Sequence, residues 1–166
     1  MNTRRSMVAG NWKMYGSGAA NAALVDGLRQ GLAGLGAAAG AVDTLVCPPF
    51  VYLAAVAGCL ADSGIALGAQ NLCAETGQGA YTGEVAGEML REVGCSHVIV
   101  GHSERRALYA ESDEIRQTVV LNSKLTLGIR HTRNSTIKCV QKACNDDRDG
   151  RFFQSTAHCT NNCVKA

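Results

Sequence analysis

Short apolar runs alternate along this chain with longer stretches whose apolar residues recur at helical spacing. Met7-Val8-Ala9-Gly10 is the first run and ends in Asn11-Trp12-Lys13. Ser17 is placed to cap a helix carrying Ala19-Ala20, Ala22-Ala23-Leu24, Leu28 and Leu32, with Gly34 or Gly36 to close it. Val42 to Cys47 is a second run, stopped by Pro48-Pro49, and a helix is expected from Phe50 to about Ala61. Ile65 to Ala69 is the third run, ending at Gln70-Asn71, and a Gly-rich loop follows from Cys73 to Thr82. Thr82 is expected to cap a helix whose Val85, Met89 and Val93 share a face, closed by Gly94. His97 to Gly101 is the fourth run and leads into His102-Ser103-Glu104-Arg105-Arg106, where a short helix can start.

The pattern is βαβαβαβ with near-continuous apolar strands, the signature of a parallel sheet covered by helices. Polar residues follow the strand ends: Asn11 and Lys13, Gln70 and Asn71, His102 and Glu104. Active sites of α/β folds lie at that edge of the sheet. The pattern does not choose between a doubly wound sheet and a barrel.

Composition adds a seam. The 166 residues carry a net charge of +2. Split after Ile115, residues 1–115 carry −4 and residues 116–166 carry +6, and 17 of the 19 Gly fall in the first part. A boundary is therefore expected there, between a folded part (1–115) and an irregular, basic, Cys-rich tail (116–166). Apolar stretches are interrupted by Asp26, Arg29, Asp43 and Asp62, so no membrane span is expected, and no secretory leader is visible. In the tail, Cys139, Cys144, His158, Cys159 and Cys163 offer enough donors for a zinc site, but at loose spacing. Its only aromatic pair is Phe152-Phe153, and no nucleic-acid partner is expected.

Four segments together resemble the triosephosphate isomerase family. They are Val8-Ala9-Gly10-Asn11-Trp12-Lys13-Met14, Gly68-Ala69-Gln70-Asn71, Gly79-Ala80-Tyr81-Thr82-Gly83-Glu84 and Ile99-Val100-Gly101-His102-Ser103-Glu104-Arg105-Arg106. The resemblance runs from about Ser6 to Glu114 and implies the first four β/α units of a (β/α)8 barrel. It implies an enzyme of glycolysis and gluconeogenesis that interconverts dihydroxyacetone phosphate and glyceraldehyde 3-phosphate through an enediolate, with no metal or organic cofactor. This family is the standard illustration of a glutamate base working with an uncharged histidine. The resemblance places that histidine, the electrophile, at His102, a fixed cation at Lys13, a substrate donor at Asn11 and a supporting carboxylate at Glu104. It also implies a cytoplasmic homodimer, in which Thr82, Gly83 and Glu84 of one chain pack near Met14 of the other. Each residue also has a plainer role open to it: a solvated lysine, a turn asparagine, a first-turn glutamate, and for Arg105 a structural pairing with a carboxylate.

The resemblance has an end. A full barrel takes roughly 250 residues. Leu121 to Thr126 faintly echo the approach to a fifth strand, and Leu127-Gly128-Ile129-Arg130-His131-Thr132-Arg133 then departs from the family. No segment matches the family's base motif, its mobile lid or its Gly-rich phosphate loops. Glu111 and Glu114 are the nearest spare carboxylates and do not match the base motif. Feeble activity is expected, together with open strand edges and an uncovered inner sheet face. The alternative is a truncated or frame-shifted fragment without catalysis.

Overall fold

A computed structural model describes residues 6–127 and the strand pair 139–140. Five parallel strands form one sheet in the order β4-β3-β2-β1-β5: β1 (Ser6–Asn11), β2 (Val42–Cys47), β3 (Ala66–Ala69), β4 (His97–Val98) and β5 (Cys139–Val140). The register pairs Ser6 with Val42 and Asn11 with Cys47, then Leu45 with Ala66, then Gly68 with His97. The first four strands make a half-barrel. The helices are α1 (Gly18–Gly34), α2 (Leu53–Cys59), α3 (Gly87–Glu92), α4 (Ser103–Leu108) and α5 (Asp113–Leu127).

Alternation along the strands sends side chains to two buried clusters. On the helix side, Val46, Leu67 and Val98 meet Val25 of α1, Leu53 and Val56 of α2, Leu90 of α3 and Val119 of α5. On the inner side, Ala9, Leu45, Cys47 and Ile99 form a second cluster, with Met7 and Ala66 packed against it. The expected bare inner face is therefore not observed, because these positions are buried in a cluster that runs from β1 to the segment after β4. The edge of β1 is not open either: Ala9 and Gly10 pair with Cys139 and Val140.

Ser17 caps α1 as its side chain predicts, its Oγ accepting from Ala20 N–H at 3.2 Å. The second helix is shorter than expected, since a 3-10 turn over Phe50–Tyr52 precedes it. Thr82 caps nothing. Glu84 N–H closes a turn on the Tyr81 carbonyl, Gly83 takes φ +90°, and the Val85 carbonyl accepts from Cys73 N–H at 2.9 Å. These bonds keep Val85 in the loop and delay α3 to Gly87. Met89 consequently points outward, and Ala86 and Leu90 take the core. The fourth strand pairs only over His97–Val98.

The composition seam at Ile115 falls inside α5 rather than between elements. Leu121 to Thr126, the faint echo of a fifth strand, are helical. The Ser112 hydroxyl accepts from Ile115 N–H at 3.3 Å, a cap that starts α5. Asn122 anchors its far side by donating to the Ala74 carbonyl. The proposed zinc residues Cys144, His158, Cys159 and Cys163 lie outside the described residues, and only the strand placement of Cys139 is described.

Gly68 marks the tightest strand packing. A Cβ there would stand 2.8 Å from Cys47 Sγ and 3.1 Å from Leu45 Cδ1. Gly68→Ala is expected to destabilise the fold by about 1–3 kcal/mol through overpacking, and Cys47→Ala in the same chain to recover part of that loss. Chemical denaturation of the single and double variants measures both effects, and simple additivity would contradict the collision.

Candidate active site

The candidate residues sit where β1 and β4 end. Beyond Asn11, Trp12 N–H donates to the Cys47 carbonyl at 3.1 Å, so the chain leaves β1 still tied to β2. Lys13 then adopts φ +51°, a left-handed conformation that non-glycine residues rarely take. Two bonds hold it there. Asn11 Oδ1 accepts from Lys13 N–H at 3.0 Å, and Gln70 Nε2 donates to the Lys13 carbonyl at 2.8 Å. Gln70 also donates to the Cys47 carbonyl at 2.8 Å, so one amide after β3 clasps the ends of β1 and β2. Gln70 was visible in the sequence as a polar residue at a strand end, but nothing there revealed its two carbonyl partners.

At the other end of the sheet, Gly101 (φ +65°) turns the chain out of the fourth run. His102 then caps α4, its Nδ1 accepting from Glu104 N–H at 3.2 Å. A nitrogen that accepts holds a lone pair, which assigns the ring proton to Nε2. The His102 side chain is 8% exposed.

Glu104 joins the two ends. Its Oε1 accepts from Lys13 Nζ at 2.5 Å, and its Oε2 lies 3.7 Å from His102 Nδ1. The hydrogen bond from Lys13, above all, lowers the Glu104 pKa; the Lys13 charge adds to this and partial burial opposes it. Asn11, Lys13, His102 and Glu104 are thus brought into one site. Met14, 93% exposed, stands beside it, and Thr82, Gly83 and Glu84 lie exposed on their own loop.

Neighbouring carboxylates are engaged elsewhere. Glu111 Oε1 accepts from Arg105 Nε at 2.5 Å and its side chain is 11% exposed, so Arg105 pairs with this carboxylate rather than with Glu104. Asp113 takes Arg106 at 2.6 Å and Arg116 at 3.2 Å. No group of three or more His, Cys, Asp or Glu among the described residues is arranged to hold a metal ion.

Comparison with known proteins bears on the family and the fold. The family model described as triosephosphate isomerase matches residues 6–166, past the point where the resemblance fades to the eye. The triosephosphate isomerase of Thiobacillus denitrificans is 55% identical over 112 residues, covering 68% of this chain and 42% of that protein. That of Hahella chejuensis is 52% identical over 153 residues, covering 92% of this chain and 57% of that protein. The crystal structure of triosephosphate isomerase from Bartonella henselae superposes with a TM-score of 0.64 at 38% identity, over 75% of this chain and 49% of that one. The chain spans about half the length of the relatives it matches. With the half-barrel and these matches in agreement, the chain belongs to the triosephosphate isomerase family.

Proposed function

We propose that residues 6–127 carry the carbonyl-polarising half of a site that interconverts dihydroxyacetone phosphate and glyceraldehyde 3-phosphate. The observation that carries this reading is the double role of Glu104, whose N–H meets His102 Nδ1 while its carboxylate holds Lys13 Nζ. His102 Nε2–H donates to the substrate carbonyl oxygen, and Lys13 supplies a fixed positive charge beside the oxygens that become negative in the enediolate. Asn11 Oδ1 is engaged with Lys13 N–H, so its Nδ2 is the group that donates to substrate. The reaction also needs a base for the carbon-bound proton. Glu104 is held by Lys13 and Glu111 by Arg105, so neither serves as that base. Slow turnover follows from a site that polarises without abstracting.

The reading extends to a homodimer in the cytoplasm. Met14, Tyr15 and Val51 are exposed apolar side chains near the site, and Tyr81 stands out from the loop carrying Thr82, Gly83 and Glu84. A second copy of the chain, packing its loop against Met14, covers both surfaces. Cys47, Cys59, Cys73 and Cys95 are thiols, the form a reducing compartment maintains. No described helix is long and apolar enough to cross a membrane.

In a coupled assay with dihydroxyacetone phosphate, the 166-residue chain is expected to turn over at least about 10²–10⁴-fold more slowly than the Hahella chejuensis relative. Glycerol 3-phosphate should bind, and Lys13→Met should weaken that binding by roughly 1.5–3 kcal/mol, read by calorimetry. Family-level turnover would refute the missing base, and undiminished binding would refute the role of Lys13.

Because the folded Glu104 pKa lies below its ordinary value of 4.5, its pairing with Lys13 stabilises the protein above 4.5 and is lost only as pH falls through the lowered value. A carboxyl-carbon NMR titration should show the Glu104 midpoint below 4.5 in the native chain and returning toward it in Lys13→Met. Light scattering should give a dimer for the native chain and a monomer for Met14→Arg, whose cation would be buried against the second copy.

A further inference from the structure

Gly101 is followed directly by His102, and the space beside its Cα is occupied. A Cβ built on Gly101 would lie 2.5 Å from Arg116 Cδ and 3.0 Å from Arg116 Cγ, so the arginine stem rests where a side chain would otherwise stand. The guanidinium is held as well: Arg116 Nη2 is 3.2 Å from Asp113 Oδ1. The same oxygen takes Arg106 Nη1 at 2.6 Å, and Arg106 N–H donates to the His102 carbonyl at 3.1 Å. These contacts form a closed circuit: Gly101, His102, Arg106, Asp113, Arg116 and back to Gly101.

We propose that Arg116 is a positioning residue for His102, its stem holding the left-handed turn at Gly101 and its guanidinium fixed by Asp113. This rests on the reading of His102 as the electrophile, but the contact itself requires no substrate. Gly101 sits at φ +65°, a conformation glycine can leave at little cost. A glycine used as a hinge needs something outside itself to hold it. The Arg116 stem does so by packing. A stem alone has several rotatable bonds, and the pairing with Asp113 selects the conformer that lies over Gly101. The turn in turn sets the direction of the His102 ring, on which the Glu104 N–H to Nδ1 bond depends. The two Asp113 pairs are exposed and add little to global stability. Their effect is local, on the aim of one imidazole.

Nitrogen NMR of the ligand-free chain tests this at neutral pH. In the native chain the His102 ring should show an unprotonated Nδ1 and a protonated Nε2, with the Glu104 amide protected from exchange. Arg116→Met keeps the stem and removes the guanidinium. It should draw the two ring nitrogen shifts toward one another and speed exchange of the Glu104 amide roughly fivefold, with the thermal midpoint unchanged. Arg116→Lys, which restores a cation on a similar stem, should recover most of the native signature. A native ring spectrum and native Glu104 exchange in Arg116→Met would overturn the proposal. Faster exchange spread evenly over all amides would also overturn it, since it marks a purely structural role. No triose phosphate is present in these spectra, so a failure of the substrate reading shows in the binding measurements and leaves this result standing.

Discussion

The contact between Lys13 and Glu104 joins residues 91 positions apart in the chain, from opposite sides of the half-barrel. In the sheet order, β2 and β3 lie between the strands that carry them. Three interstrand spacings in a flat sheet amount to roughly 14 Å, too far for the backbone ends to bring these side chains together without help from the loops. Curvature shortens that distance. The inner cluster of Ala9, Leu45, Cys47 and Ile99 is the other sign of the same bending, because it gathers side chains from β1 to the segment after β4 on the concave side. The curled parallel sheet and the ion pair at its C-terminal edge are two aspects of one arrangement.

Fixing the ends of the strands requires more than the ladder. Gln70 spends its amide on two carbonyls, Lys13 and Cys47, and Trp12 N–H shares the second of them. The result is a rigid seat for a lysine whose backbone is left-handed. Backbone strain of that kind persists only where surrounding bonds over-determine it. Gly68, two residues before Gln70, keeps β3 close against Cys47 and Leu45, so the clasp and the tight packing support each other.

Much of this was legible in the sequence and some was not, for physical reasons. Alternating apolar runs gave the strands, and Ser17 gave a helix start, because both are local signals. Thr82 misled because the Val85 carbonyl accepts from Cys73 N–H across the loop, so the chain after Thr82 is tied down outside helical geometry and α3 starts only at Gly87. The change in charge at Ile115 suggested a boundary, but net charge carries no information on helix continuity, and α5, capped by Ser112, runs through it. Asn11, Lys13, His102 and Glu104 were named from motif resemblance. Their mutual bonds, and the clasp by Gln70, are long-range and leave no local trace.

The charged groups at this edge of the sheet satisfy one another. Glu104 neutralises Lys13, and Glu111 and Asp113 neutralise the arginines of α4. Glu104 in α4 and Glu111 just after it are both committed to cations. A base tied into an ion pair is a poor proton acceptor, since the pairing that lowers its pKa also lowers its affinity for the proton. Glu104, its pKa lowered by Lys13, is therefore an anchor for the ammonium rather than a ready proton acceptor.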